Sequence, residues 1–172
     1  MSPRQNCQNS KRSTTKTRMP KQYRVGASVR FNNAVMKAML RAGVRMGSFA
    51  ILTVRGRKSG RAIQIPLVVF PKDGNRYLIA AYGVVNWVRN LRAADGEAAL
   101  TRGRRTEKIA AVELSPREGA PILRESLRAG APGIPKPIVI AYRRFFVLPY
   151  LDVDVSASLE EFESAALRHP VF

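Results

Sequence analysis

The chain has 172 residues, 45% of them hydrophobic, and a formal net charge of +18, which fits one folded domain with an anionic partner. Its single cysteine, Cys7, excludes an internal disulfide and a site built from several thiolates. There is no run of about eighteen apolar residues and no apolar stretch of signal-peptide type at the start. We therefore expect a cytoplasmic protein, or one peripheral to the inner face of the plasma membrane.

Basic residues are concentrated in the first part of the chain. Residues 1–72 hold sixteen Lys and Arg and no carboxylate, because Asp73 is the first acidic residue. The remaining hundred residues are nearly balanced, with fourteen basic and twelve acidic side chains. Such a distribution favours a phosphorylated ligand, an anionic lipid surface or nucleic acid, and charge alone does not choose among them.

The first segment, residues 1–24, consists almost entirely of polar and basic side chains. It has too little apolar material to offset the entropy of ordering, so the pattern predicts a disordered basic tail. Residues 25–172 are then expected to form one domain.

Residues 28–46 carry apolar side chains at helical spacing, which predicts an amphipathic helix. Basic side chains cluster on another side of this helix, at Arg30, Lys37 and Arg41. Two interpretations remain open: a helix packed on the core with a solvated cationic face, or a helix adsorbed to an anionic membrane. The predicted apolar positions are Phe31, Val35, Ala38, Met39, Ala42 and Met46.

Three segments rich in Ile, Val, Leu, Phe and Tyr follow, at residues 49–55, 62–70 and 75–83. The turn-like sequences GRKSG and PKDGN separate them, so they predict an antiparallel meander. Pro66 lies inside the second strand and cannot donate to a ladder, which indicates a sheet edge or a bulge at that point.

The second half of the chain alternates helical and extended patterns. We expect a short helix at 86–94, a hairpin from strands 97–102 and 106–114, and a helix running from Pro116 to about residue 129 behind an N-cap at Ser115. A segment rich in proline and glycine at 131–137 precedes an apolar, aromatic stretch at 138–150. Residues 158–167 predict a last helix with an acidic face.

Catalytic side chains are scarce. His169 is the only histidine, and we interpret it as an exposed or packing residue, which disfavours histidine triads. The sequence has no Cys and His cluster and no calcium-loop pattern, so no metal site is predicted. If the protein is an enzyme, a bound cofactor must supply the chemistry.

The strongest local feature is the stretch from Gly56 to Arg61, GRKSGR, between the first two strands. Two glycines permit backbone conformations that expose successive N–H groups, and three cations and a hydroxyl surround them. One interpretation is an anion cradle, and the alternative is a charged hairpin turn. A second candidate anion site is the helix start at Asn86, behind Gly83, although Trp87 and Leu91 can equally be anchors of this helix to the barrel.

Several motifs in one order resemble a known family. The stretch LTVRGRKSGRAIQIPLVVF, the strand DGNRYLIAAYG, the helix NWVRNLRA, a basic hairpin and HPVF are similar to the deazaflavin-dependent nitroreductases, a family of F420-dependent oxidoreductases of actinobacteria. The resemblance runs from about residue 29 to residue 172. It implies an α+β, mainly β fold, the split β-barrel shared with flavin reductases and pyridoxamine-phosphate oxidases, with flanking helices.

The resemblance also implies a set of coenzyme-binding residues. The loop would hold the phosphate and the glutamate tail of coenzyme F420, while the strand around Pro66 and the strand end at Ala80 and Ala81 would form the bed of the deazaflavin ring. Trp87 and Asn90 would close the phosphate end. Tyr82 stands where many relatives have Arg or Lys, and we hypothesise that it stacks on the ring or donates a hydrogen bond to it. The loop residues are Arg57, Lys58, Ser59, Gly60 and Arg61.

The implied reaction is hydride transfer from the reduced coenzyme to a small acceptor, such as a quinone, an activated alkene or a nitroaromatic. Solvent or a tyrosine would supply the proton, and no protein nucleophile is needed. The apolar segment at 138–150 is the expected wall or lid of the acceptor pocket. Tyr142, Phe145 and Phe146 are its candidate contacts, or alternatively ordinary core residues.

Other interpretations stay open. Related split barrels bind FMN or haem, and either could replace F420. A nucleic-acid-binding module is less favoured, because the cations are not interleaved with aromatic residues and no nucleic-acid motif is found. A homodimer is expected from the resemblance only.

Overall fold

A computed structural model describes residues 47–129, 147–151 and 153–172, together with Ala34, Ala38, Pro137, Ile140 and Arg144. The predicted tail at 1–24 lies outside the described residues, as does the predicted helix at 28–46 except for Ala34 and Ala38. Both of these are helical and exposed, although Ala38 was assigned to the apolar face. The single domain at 25–172 stays a prediction.

Five antiparallel strands form one sheet in the order β3-β2-β1-β4-β5. β1 is Phe49–Arg55, β2 Ala62–Lys72, β3 Asn75–Leu78, β4 Glu97–Arg102 and β5 Arg105–Ala110. In the described part of the chain, four helices flank the sheet: α1 Asn86–Arg92, α2 Pro116–Ala129, α3 Leu148–Leu151 and α4 Leu159–Ala166.

The central strand β1 packs one face against helix α1. Ala50, Leu52 and Val54 alternate along β1 and are buried in one cluster with Val88 and Leu91 of α1. Because side chains alternate between faces in a strand, these three residues fix the face that meets α1. Complete burial of Val88 and Leu91, at about 1.5–3 kcal/mol each, anchors this short helix to the sheet.

The sheet is curled into a half-barrel, since a side-chain ion pair joins its two edge strands. Arg76 of β3 forms an ion pair with Glu107 of β5. In a flat sheet these strands would lie about 19 Å apart, at four strand spacings, which is farther than the two side chains reach together. The predicted mainly β split-barrel class with flanking helices is therefore confirmed.

The last residues of the sequence fill the gap between the sheet edges. Leu78 and Phe172 exchange two backbone hydrogen bonds, at 2.8 and 3.0 Å, and the Leu114 amide donates to the Val171 carbonyl at 2.8 Å. The segment 170–172 thus contacts β3 on one side and the chain that follows β5 on the other. This position explains why the HPVF sequence accompanies the barrel motifs.

Pro66 lies at a sheet edge, as predicted. It pairs with Ile51 of β1 in an uninterrupted register, so there is no bulge, and pairing of β2 with β3 begins only at Val69. On the β3 side of Pro66 no strand of the described chain requires an N–H donor.

A second cluster lies under α2 and α4. It contains Leu123 and Leu127 of α2 and Phe162 of α4, all buried. Ser115 caps α2, since its hydroxyl accepts from the Glu118 amide at 3.4 Å and its own amide donates to Glu118 Oε2 at 3.0 Å. Ser158 and Glu161 form the equivalent capping box at α4. The predicted start of α2 at Pro116 is confirmed.

Two strands are shorter than predicted. β3 was expected to reach residue 83 but ends at Leu78. The Ala80 amide donates to the Pro170 carbonyl, and the chain then forms a turn from Ala80 to Gly83. β5 was expected to reach residue 114 but ends at Ala110. Within the described part of the chain, no helix combines the length and the apolar character that crossing a membrane requires.

Candidate anion-binding site

The loop between β1 and β2 has a closed backbone conformation. The Gly60 amide donates to the Gly56 carbonyl at 2.7 Å, and the Gly56 amide donates to the Arg61 carbonyl at 2.8 Å. Gly60 has a φ of +65°, and a Cβ on Gly56 would lie 2.7 Å from Ile63 Cδ1. Glycine is therefore favoured at Gly60 because of its φ, whereas a Cβ at Gly56 would displace the Ile63 and Ser59 side chains.

The tip of this loop presents unused donors to solvent. Lys58, Ser59 and Arg61 are exposed, and within the described residues neither the Lys58 amide nor the Ser59 amide has a hydrogen-bond partner. The Ser59 hydroxyl accepts a long hydrogen bond of 3.4 Å from the Arg61 amide. Two backbone donors, two cationic side chains and a hydroxyl are the groups that bind a phosphate or a carboxylate.

Arg57 connects the loop to helix α1. Its backbone amide and its guanidinium donate to Asn90 Oδ1, at 3.3 and 2.8 Å, and the guanidinium also donates to Asn86 Oδ1 at 3.4 Å. Asn90 is only 3% exposed, so its amide is a buried acceptor that fixes the start of the loop. Two predicted site residues that lie 33 positions apart are thus joined directly.

The cations of the loop lack carboxylate partners. Across residues 47–129 and 147–172, apart from the undescribed 152, no ion pair forms with Arg57, Lys58 or Arg61. Their charge therefore remains available to an anion from solution.

Trp87 lies on α1 beside the last residue of the sequence. Its ring is half-buried, and its centroid lies 5.8 Å from that of Phe172 at a tilt of 56°. This contact is the one expected of a helix anchor. The role of Trp87 at the phosphate end of a coenzyme stays a prediction.

The turn after β3 carries the predicted ring-binding residues. Both backbone polar groups of Ala80 are occupied: its amide donates to Pro170, and its carbonyl accepts from the Gly83 amide at 2.8 Å and from His169 Nδ1 at 3.1 Å. Ala81 is half-buried. Of the two small residues, Ala81 is therefore the one better placed to face a ligand.

Tyr82 contacts the aromatic segment that was predicted to line an acceptor pocket. Its ring meets that of Tyr150 edge to face, with centroids 5.2 Å apart. Tyr142, Phe145 and Phe146, the predicted contacts of that pocket, lie outside the described residues. Pro66 is half-buried at the free edge of β2.

Two contacts of the site were not predicted from the sequence. Asn86 accepts from Arg57, and its spacing from Asn90, four residues on a helix, is the signal that places both on one face. His169 is 4% exposed and holds the Ala80 carbonyl. The exposed interpretation of His169 is therefore wrong, and the packing interpretation is confirmed.

Several known proteins are similar to this chain. Residues 27–136 match the family model described as F420H2-dependent quinone reductase. A solved structure described as an F420-H2 dependent reductase (FDR-A) is 19% identical, with 73% of this chain and 91% of that chain covered and a TM-score of 0.43. A second, described as a domain-swapped dimer, is 18% identical, with coverages of 69% and 91% and the same TM-score, 0.43. A comparison with curated proteins found no match.

Proposed function

The chain belongs to the family of F420H2-dependent quinone reductases, and from this premise we propose that it reduces a quinone with hydride from reduced coenzyme F420. The protein is an F420-dependent oxidoreductase. The acceptor and the residues that bind the coenzyme are the parts that the proposal adds.

The observation that carries the proposal is the loop from Gly56 to Arg61. Among the described residues, the Lys58 and Ser59 amides have no hydrogen-bond partner and the loop cations have no carboxylate partner. These groups suit a ligand with a phosphate and several carboxylates, as F420 has. Lys58 and Arg61 would bind these anionic groups, and Arg57, held by Asn90, would orient the loop. These donors fit the anionic part of the coenzyme.

The bound coenzyme supplies a hydride, and the quinone takes up that hydride and one proton to become a quinol. The protein residues act by position. Ala81 and Pro66 offer small, half-buried surfaces for a flat ring. Tyr82 and Tyr150 lie edge to face beside that turn, where a planar acceptor can pack against an aromatic ring and a phenol can donate the proton.

A quinone is favoured over a nitroaromatic or an activated alkene by the family to which the chain belongs. No separate feature of the described residues favours the other two acceptors. A homodimer remains a proposal that sedimentation equilibrium of the full chain decides.

Ligand affinity and turnover test this proposal together. We expect the purified full chain to quench F420 fluorescence on binding, and to bind FMN and haem more weakly. We also expect reduced F420 to be oxidised faster with a soluble quinone than with a nitroaromatic at the same concentration. Absence of F420 binding would overturn the coenzyme assignment, and a preference for the nitroaromatic would overturn the acceptor assignment.

A further inference from the structure

A groove lies between the start of α2 and helix α4. It has a volume of about 410 Å³ and shares no residue with the loop at 56–61 or the turn at 80–82. Three charged side chains line it: Arg117 of α2, and Glu160 and Glu163 of α4. All three are exposed, and none forms an ion pair within the described part of the chain. The groove therefore holds charges of both signs that the described fold does not pair.

The position of Arg117 is unfavourable for the helix that carries it. Because α2 begins at Pro116, the guanidinium belongs to the first turn, near the positive end of the helix dipole, where a carboxylate such as that of Glu118 is preferred. A cation in this position is stabilised when an anion lies against it. Since no described carboxylate pairs with Arg117, its position indicates an acidic partner from outside the described chain.

An exposed apolar side chain accompanies these charges. Leu167 is 68% exposed and lines the same groove. It follows Glu163 by four residues and Glu160 by seven, so the three side chains share one face of α4. Phe162, on the other side of this helix, is completely buried. The face that carries Leu167 therefore combines an apolar contact with two carboxylates, which is the composition of a small docking surface.

We propose that this groove is the contact surface of a symmetric homodimer, an inference that goes beyond the proposed function. In a contact with two-fold symmetry both copies present the same patch, so each pair of side chains occurs twice. Arg117 of each copy meets Glu160 and Glu163 of the partner subunit, with Leu167 of both copies between them. A partner with basic residues alone would pair with the carboxylates but repel Arg117, so the mixed charge favours a second copy.

The charge of the whole chain also favours this face. Two copies with a net charge of +18 each repel one another over the basic parts of their surfaces. Helix α4 carries three Glu and no Lys or Arg, so this face approaches a second copy against less repulsion than the basic surfaces do. The ion pairs with Arg117 then prevent the carboxylates of the two copies from repelling each other.

Sedimentation equilibrium of the full chain and of two charge-reversed variants tests this contact. We expect the wild type to dimerise. Arg117→Glu should weaken dimerisation about 100-fold, at about 10-fold for each of the two symmetric contacts that change from attraction to repulsion. Glu163→Arg should weaken it about 10-fold, because Glu160 still faces Arg117. Both substitutions suit the helix dipole at their positions, so the circular dichroism spectra of the two variants should match that of the wild type.

An equal mixture of the two variants is the decisive sample. In a heterodimer of the variants, each contact again joins a cation to a carboxylate, so the mixture should dimerise as the wild type does. A matched control is Arg104→Glu, which makes the same charge reversal in the turn between β4 and β5, at the opposite end of β5 from the chain that leads to α2. It should not weaken dimerisation.

Three results would each overturn the proposal: a monomeric wild type, a dimer that persists in both single variants, or a mixture that stays as weak as its components. A persistent dimer would place the interface elsewhere, as an exchange of segments between copies would. F420 affinity is measured separately by fluorescence quenching. Its absence in the wild type would refute the proposed function and leave this contact standing.

Discussion

The basic side chains of two regions differ in whether they form ion pairs with carboxylates of the described residues. Lys72, Arg76 and Arg92 each bind a carboxylate, whereas Arg57, Lys58 and Arg61 of the loop at 56–61 bind none among the described residues. The paired cations connect elements of the fold: Lys72 joins β2 to α2, Arg76 joins the two sheet edges, and Arg92 joins α1 to Glu113 after β5.

The ion pairs shift the pKa values of groups that take part in them. The hydrogen bond from Lys72 to Glu125 raises the pKa of the Lys72 ammonium, and the hydrogen bond from Arg76 lowers the pKa of Glu107. Charges used in this way are satisfied by the fold. Among the described residues, the cations of the loop form no ion pair, and Arg57 donates to amide oxygens of Asn90 and Asn86, so their charge is available to a ligand.

The strongest test of this difference removes two unpaired cations. We expect Lys58→Ala with Arg61→Ala to weaken F420 binding by two orders of magnitude or more, because two charge-assisted contacts at about 1.5–3 kcal/mol each are lost. The melting temperature should stay the same, since both side chains are exposed. Fluorescence quenching and thermal unfolding measure the two quantities.

A matched variant with paired cations serves as its control. Lys72→Gln with Arg76→Gln removes the same charge but also breaks two ion pairs. It should therefore lower the melting temperature and leave F420 affinity unchanged. Equal loss of affinity in both double variants would mean that total charge, and not the loop, determines binding.

The next effect concerns the support of the loop. Asn90→Leu removes a buried acceptor of two hydrogen bonds from Arg57, and we expect a loss of about 2–4 kcal/mol in unfolding free energy together with weaker F420 binding. Asn86→Ala removes one exposed bond of 3.4 Å and should change stability by less than about 0.5 kcal/mol. Urea unfolding compares the two, and an equally stable Asn90→Leu would contradict the supporting role.

His169 tests the other side of the site. His169→Leu removes the donor to the Ala80 carbonyl, and we expect a loss of about 1–3 kcal/mol and a several-fold weaker F420 affinity, because the turn at 80–82 loses a support. His169→Asn keeps an N–H donor and should restore part of both. Full affinity in the Leu variant would show that the turn does not need this bond to bind the coenzyme.

The smallest effect is a pH dependence at the paired region. The pKa of Glu107 in the folded protein lies below its ordinary value of 4.5, chiefly because of the hydrogen bond from Arg76. Its contribution to stability is therefore complete above that value and is lost as pH falls through the folded pKa. Glu107→Gln should melt slightly below the wild type at neutral pH and should match it in strong acid. A gap that persists in strong acid would contradict this assignment.

Local patterns predicted most of the elements. β1 and β4 begin and end where predicted, and Ser115 and Pro116 mark the start of α2, because alternation and capping depend on residues close in sequence. The strand expected at 75–83 ends earlier than predicted for a non-local reason. Its second half pairs with the last residues of the chain and not with another strand of the sheet.

The site was predicted in its parts and not in its connections. The loop at 56–61, Pro66, the turn at 80–82 and α1 were all named from their motifs. The contacts of Arg57 with Asn90, Trp87 with Phe172, and Ala80 with His169 were not, because each joins residues far apart in sequence.

By itself, the sequence determined the strands, the capped helices, the glycines of the loop and the uneven distribution of charge, since each follows from neighbouring side chains or from counting. Only the tertiary structure decided which basic side chains form ion pairs with carboxylates. It also placed the turn between β4 and β5 and the start of β1 at one end of the sheet. Those outcomes depend on strand order and on curling of the sheet, and strand order is set by the burial of all five strands together.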